Sequence, residues 1–279
     1  MRVRLIVDST ADLIPEVKAG VSVVPLTVHF GDEEYVDGVT ITHQQFYEKL
    51  VQHPTLPSTS QATPAAFADI FSQVAAEGDS AVVLTVASKL SGTYQSALIA
   101  AEEYDHIYIV DSGSAAIGMG ILAQLGLDLI RQGLSAEEVA QRLTEERDNV
   151  CVIASLDTLE YLKRGGRISK TVAFAGGLLN IKPVIALEQG EIRVLGKARG
   201  ARQSGSMLVE EIQKSGGICF DKPFLMGYTG LSDQGLQSFL AENRELFAHR
   251  PVPTTIVGSV IGTHAGPGAV AAAFFKATK

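Results

Sequence analysis

The sequence has no tryptophan and only two cysteines, Cys151 and Cys219, among its 279 residues. Neither cysteine belongs to a CxxC pair, which excludes a disulfide framework and the common zinc and redox motifs. We predict that both are buried core thiols in a reducing compartment. Excess positive charge is also lacking, because the net charge is −8 and the basic residues are scattered. A nucleic acid is therefore not an expected partner.

Long apolar runs and targeting segments are scarce as well. The N-terminus opens directly into the strand-like run Val3–Val7, without the charged and apolar regions of a signal peptide. The longest apolar segment, near residues 115–130, is interrupted by Gln124 and Asp128. This interruption predicts a buried helix rather than a membrane span. Together these features predict a cytoplasmic protein that does not span a membrane.

The chain contains ample apolar material, at 46% of its residues, and its length favours two domains. Short β-branched runs alternate with segments of helical periodicity, which is typical of an α/β fold with parallel strands. We place the boundary near Ser155, giving domains 1–155 and 156–279. Near the C-terminus we predict a strand over 254–260 and a helix over 268–276. An acidic turn at 31–35 predicts a hairpin.

Small polar residues follow several of the predicted strands. Asp8-Ser9-Thr10 follows the first strand, and residues 88–93 and 111–112 follow two later ones. The carboxyl ends of parallel strands meet at one edge of the sheet, where ligands bind. A further hydroxyl-rich loop, 58–64, leads into a helix with Thr63 as the expected N-cap and Pro64 in the first turn. Capping alone explains any one of these loops, but four loops on one edge favour a ligand site.

Ser91 precedes a predicted helix, whose free amides favour an anion such as a carboxylate or phosphate. The spacing matches neither the phosphate-binding Walker loop nor a GxGxxG fingerprint, and no GxSxG elbow surrounds Ser91. His264 lies in a glycine-rich loop, where it is either exposed or a ligand contact. A hydrolase with Ser91 as nucleophile and His264 as base stays open as an alternative. The other histidines show no metal-ligand spacing, so neither a metal nor a cofactor is expected.

Two basic clusters occur in the second half of the chain. Lys163, Arg164 and Arg167 flank a double glycine, and two further arginines, Arg199 and Arg202, flank Gly200. Solvated turns with surface ion pairs explain such clusters. The alternative is that one arginine faces a bound anion.

Taken in order, six sequence blocks resemble those of the DegV family of bacterial fatty-acid-binding proteins over essentially the whole chain. The blocks are DSTADL at 8–13, TSQ at 59–61 followed by Thr63-Pro64, LSGTY at 90–94, LKRGGRI at 162–168, IKP at 181–183 and GTHAGPG at 262–268. The resemblance implies an N-terminal, mainly parallel sheet with flanking helices and a C-terminal α/β domain with a mixed sheet. It also implies a ligand between or beneath the loops of both domains.

The resemblance further implies that Thr59 and Ser91 hold the carboxylate of a long-chain, palmitate-like fatty acid. Ser60 could serve in place of Thr59, and His264 and Arg199 are the expected polar neighbours. The family often has proline where this chain has Ala62, which loosens the expected register of that loop. By analogy with the relevant members of the family, the resemblance implies a carrier subunit that presents the acid to an ATP-dependent fatty acid kinase, which makes an acyl-phosphate for phospholipid synthesis. The chain itself is then a carrier and not an enzyme; the alternatives are a phosphate-ligand enzyme, the Ser91 hydrolase and an interaction module without lipid.

Overall fold

A computed structural model of the chain describes residues 2–169 and 180–277. Its strands are β1 (Val3–Asp8), β2 (Val21–Val24), β3 (Thr27–Phe30), β4 (Glu33–Val36), β5 (Ser58–Ser60), β6 (Ser80–Thr85), β7 (Ile107–Asp111), β8 (Val150–Ser155), β9 (Ile181–Glu188), β10 (Glu191–Arg199), β11 (Phe224–Tyr228), β12 (Thr254–Ile256) and β13 (Val270–Phe275). Its helices are α1 (Pro15–Lys18), α2 (His43–Gln52), α3 (Pro64–Ala76), α4 (Thr93–Ala101), α5 (Ala116–Arg131), α6 (Ala136–Glu146), α7 (Glu160–Arg164), α8 (Gly200–Lys214), α9 (Gln234–Glu242) and α10 (Ser259–Ala265), with short 3₁₀ turns at 147–149 and 244–247.

The first sheet is parallel and has the order β2-β1-β6-β7. Strands β1, β6 and β7 therefore end at the same edge, as their polar C-terminal loops predicted. The buried carboxylate of Asp8, at the end of β1, accepts hydrogen bonds from the Thr10 hydroxyl at 2.6 Å and from the Val86 amide at 2.6 Å. Asp111, at the end of β7, accepts from the Ser88 amide at 3.2 Å. Through these hydrogen bonds the two carboxylates link the loops at this edge of the sheet to one another.

The acidic turn at 31–35 does form a hairpin, β3–β4, and β5 pairs with the other side of β3. These three strands make a small sheet of their own rather than extending the parallel sheet. The apolar run at 21–30 divides into β2, which belongs to the parallel sheet, and β3, which belongs to the small sheet. Thr63 caps α3 by accepting a hydrogen bond from the Ala66 amide, with Pro64 in the first turn, as predicted.

The second large sheet is mixed, with the order β10-β9-β8-β13-β11-β12. Its strands pair antiparallel except for β11 and β12, which are parallel. The predicted α/β class, with a mainly parallel first sheet and a mixed second sheet, is confirmed. Strand β8 belongs to this second sheet although it precedes residue 156. The division into domains 1–155 and 156–279 stays a prediction, and sheet membership favours a boundary just before Val150.

Helix α5 lies between the two large sheets and contacts strands of both. It is the predicted apolar helix near residues 115–130, and most of its side chains are buried. Close packing explains its glycines, because a Cβ atom on Gly120 would lie 2.2 Å from the main-chain oxygen of Asp12. Within the described ranges, no helix is both long and apolar enough to cross a membrane.

Two predictions near the C-terminus are wrong. The segment predicted as a helix over 268–276 is the strand β13, which lies in the sheet between β8 and β11. Its alanines favour helix locally, but the strand is covered on both faces, so its uniformly apolar residues carry no strand periodicity. The predicted strand 254–260 ends at Ile256, and α10 begins at Ser259. Cys151 is buried as predicted, whereas Cys219 is half-buried.

Candidate functional site

A cavity lies between the two large sheets, with walls from both halves of the chain. About 1010 Å³ of space between protein atoms lies in and around this cavity, open solvent included. Aliphatic side chains form most of its wall. Among them are Val86, Leu90, Ile117, Val152, Leu156, Leu162, Ile185, Leu187, Val257, Val260 and Ile261. Such a wall favours a ligand with a long apolar part.

Residues with polar side chains also line the cavity; they are Thr10, Thr59, Gln61, Ser91, Arg167, Tyr228, Thr229 and His264. Thr59 comes from β5, and His264 comes from the last turn of α10. Their side chains meet, with 2.9 Å between Thr59 Oγ1 and His264 Nε2. Residues 205 positions apart in the sequence thus form one polar group at the cavity wall.

Ser91 reaches the cavity just before α4. Its Oγ lies 2.9 Å from Thr93 Oγ1, and it accepts a hydrogen bond from the Thr93 amide at 3.3 Å. Thr93 Oγ1 also accepts from the Ala62 amide at 3.4 Å. A proline at position 62 would have no N–H for this bond. Ala62 therefore supplies a link between the two hydroxyl loops.

Ser60 has a different position from Thr59. Side chains alternate along a strand, so the two residues of β5 face opposite sides. The Ser60 hydroxyl is exposed and bonds His29 Nε2 at 2.8 Å. Of the two predicted hydroxyls in this strand, only Thr59 lines the cavity.

The two arginines that could face an anion also differ in their position relative to the cavity. Arg199, predicted as a polar neighbour, is exposed at the end of β10, and it is not among the residues that line the cavity. Arg167 is half-buried and lines it. Its guanidinium donates to the main-chain oxygens of Leu90 at 3.2 Å and Gly165 at 2.6 Å. Among the residues that the structure describes, no carboxylate pairs with it. Its LKRGGRI block was the available sequence signal, but that signal did not single out this arginine.

His264 is held as a neutral imidazole. Burial, with a smaller contribution from the charge of Arg167, lowers its pKa from 6.5 to about 4. Its Nδ1 atom is buried and has no hydrogen-bond partner in the described part of the chain. Gly165 packs against the ring, since a Cβ atom there would lie 2.2 Å from Nδ1. The ring is therefore fixed in place by packing and by Thr59.

This geometry does not form a hydrolase triad. His264 Nε2 bonds Thr59, and Ser91 bonds Thr93, so the imidazole is not positioned as the base of Ser91. The described residues also contain no carboxylate that orients Nδ1. Nor do residues 2–169 and 180–277 contain a group of His, Cys, Asp and Glu side chains that could hold a metal ion.

Comparison with known proteins agrees with this description. Residues 2–277 match the DegV family of uncharacterised proteins. A DegV domain-containing protein of Caldanaerobacter subterraneus subsp. tengcongensis is 34% identical over 99% of both chains.

Two solved structures are similar over the whole fold. The fatty-acid-binding DegV family protein of Thermus thermophilus has a TM-score of 0.86 and 33% identity, covering 99% of this chain and 100% of that one. The fatty acid kinase (Fak) B3 protein of Streptococcus pneumoniae, loaded with linoleic acid, has a TM-score of 0.85 and 26% identity, again over 99% and 100% of the chains. The chain belongs to the DegV family.

Proposed function

We propose that this protein binds one long-chain fatty acid in the cavity between its sheets, with the carboxylate at the polar end. The single observation that supports this most strongly is the composition of the wall, which is mostly aliphatic with a small number of polar side chains. Thr59, Ser91 and the guanidinium of Arg167, which pairs with no carboxylate among the described residues, supply hydrogen-bond donors there, and His264 bonds Thr59. A carboxylate there would receive charge-assisted hydrogen bonds while its tail contacts only apolar atoms.

The free energy of such binding comes mainly from the tail. Burying about fifteen methylenes gains on the order of 12 kcal/mol before the cost of association. Hydroxyl donors contribute about 1–3 kcal/mol each and determine which end of the acid lies at the polar wall. A phosphate ligand would leave the aliphatic wall without a partner, so the lipid is favoured over the phosphate enzyme.

The test is mass spectrometry of organic extracts from the purified protein. We expect a stoichiometric fatty acid from the wild type and little from Thr59→Val/Ser91→Ala. Ser60→Ala is the matched control, because its hydroxyl lies on the other face of β5 and its removal leaves the cavity unchanged. Wild-type protein that neither carries nor takes up a fatty acid would exclude the proposal and favour a phosphate ligand.

We further propose that the loaded protein is a carrier for a fatty acid kinase, which phosphorylates the bound acid to an acyl-phosphate for phospholipid synthesis. The similarity to the Streptococcus pneumoniae protein supports this step. Because such a kinase uses ATP, we propose a cytoplasmic location for the carrier. Loaded protein, ATP and a kinase subunit should form an acyl-phosphate that hydroxylamine traps as the hydroxamate. Formation of the hydroxamate without the kinase subunit would show that the chain is itself an enzyme.

A further inference from the structure

The peptide that leads into α10 is held by two buried side chains that the lipid site does not use. The Tyr47 hydroxyl donates to the main-chain oxygen of Val257 at 2.9 Å. Asp12 Oδ1 accepts from the main-chain N–H of Gly258 at 2.7 Å. This oxygen and this N–H belong to the same peptide unit. Because a peptide unit is planar, contacts on its two opposite edges fix both its position and its rotation.

The packing around this peptide is close. A Cβ atom on Gly258 would lie 3.1 Å from Asp12 Oδ1 and 3.1 Å from His43 Nε2. One turn further, a Cβ atom on Gly262 would lie 2.6 Å from the Tyr47 hydroxyl oxygen. Glycine at both positions lets α10 lie directly on the polar side chains of the first half of the chain.

The same helix carries His264 at its other end. With a rise of about 1.5 Å per residue, His264 lies roughly 9 Å along the axis from the held peptide. Over that length a tilt of about 10° would move the imidazole by roughly 1.5 Å, which is enough to break a hydrogen bond of ordinary length. The hydrogen bond that such a tilt would break joins His264 Nε2 and Thr59 Oγ1 at 2.9 Å.

We infer that Asp12 and Tyr47 are positioning residues of the fatty-acid site, which clamp the Val257–Gly258 peptide and thereby hold His264 against Thr59. The inference deepens the proposed function and rests on it for its consequence in lipid binding. The clamp itself is a property of the chain that can be measured without lipid. It needs the acceptor oxygen of Asp12 and not its charge, because the partner is a neutral amide.

The experiment titrates the His264 imidazole by NMR in the lipid-free protein, with His264→Gln to assign the signal. Tyr47→Phe and Asp12→Ala should each move the midpoint of His264 upward from about 4 toward 6.5, since a displaced ring is less buried. Asp12→Asn keeps an acceptor oxygen and should restore most of the wild-type midpoint. Tyr104→Phe is the matched control, because it also removes a tyrosine hydroxyl that faces a main-chain oxygen, that of Ala68, far from α10 in the sequence.

The affinity for a fluorescent fatty acid gives the second measurement. We expect Tyr47→Phe to weaken it at least about fivefold in the wild-type background and not to weaken it further in the His264→Gln background. Unchanged His264 midpoints in Tyr47→Phe, or an equal loss of affinity in both backgrounds, would overturn the inference. If Asp12→Ala does not fold, Tyr47→Phe decides alone, since it keeps the buried ring. If the wild type binds no fatty acid, the proposed function fails, and the titration still tests the clamp.

Discussion

Arg167 and Arg199 both belong to basic sequence blocks, but the fold gives them different surroundings. Arg167 lines the cavity, whereas Arg199 is exposed at the end of β10. Arg167→Gln should weaken binding of a fatty acid by about ten- to a hundredfold, because a hydrogen bond to a charged group contributes about 1.5–3 kcal/mol. Arg199→Gln, the matched control, should leave the affinity within about twofold. Displacement of a fluorescent fatty acid measures both, and a larger effect at Arg199 would restore that residue to the site.

The buried imidazole of His264 makes stability depend on pH. Its pKa is about 4 in the folded protein and 6.5 when unfolded, so between these values the unfolded state binds more protons. Stability from this group is therefore present above pH 6.5 and is lost as the pH falls toward 4. Asp8 acts in the opposite direction, because burial raises its pKa to about 6 and the folded state then binds more protons.

The difference in stability between the wild type and His264→Gln separates the contribution of the histidine from that of Asp8. Between pH 6.5 and pH 4, the urea midpoint of the wild type should fall more steeply than that of the variant. Parallel midpoints across this range would show that His264 is not buried as a neutral ring. A bound carboxylate should raise the pKa of His264 and make the wild-type curve shallower.

At the scale of elements, the sequence predicts helices and strands best where polar residues or a cap mark the end of the element. The capped helix α3 and the hairpin β3–β4 are both foreseen from such marks, whereas α5 is foreseen from its long apolar run. The segment at 268–276 lacks such a signal within it. Its alanines and phenylalanines alone do not distinguish a strand covered on both faces from a helix. His264 was identified by its block, but its place on a helix was not, because the start of α10 depends on Asp12, 246 residues away. Contacts between residues distant in the sequence determine whether these segments form helix or strand.

Helix α5 provides a test of how closely the elements pack. Gly120→Ala would place a methyl group 2.2 Å from the main-chain oxygen of Asp12, which cannot rotate away. At Gly126 the same change meets only the side chains of Leu143 and Leu5, at 3.3 Å. Both changes gain about 1 kcal/mol of helix propensity, but overpacking at position 120 should cost about 1–3 kcal/mol more.

Urea unfolding of the two glycine variants measures this difference. We expect Gly126→Ala to lie within about 1 kcal/mol of the wild type and Gly120→Ala to be clearly less stable. Equal stabilities would mean that α5 can move between the sheets. Because α5 touches both sheets and the cavity, such freedom would also let the cavity change its width.

At the scale of the whole molecule, the cavity is part of the hydrophobic core. Its wall takes Val86 and Ile117 from the first half of the chain and Val152, Ile185 and Val257 from positions beyond residue 149. A fatty acid bound there would touch both large sheets at once. Lipid should therefore stabilise the two halves together rather than one of them.

We expect delipidated protein to unfold at a lower temperature than loaded protein, in calorimetry at neutral pH. Added fatty acid should restore the higher Tm, with a stabilisation of about 2.7 kcal/mol when the free acid is at 100 times its Kd. Thr59→Val should need more fatty acid for the same shift, because the polar end is weakened while the apolar wall is intact. Two separate transitions, of which lipid shifts only one, would contradict a ligand that joins the sheets, and the binding site would then lie within a single half of the chain.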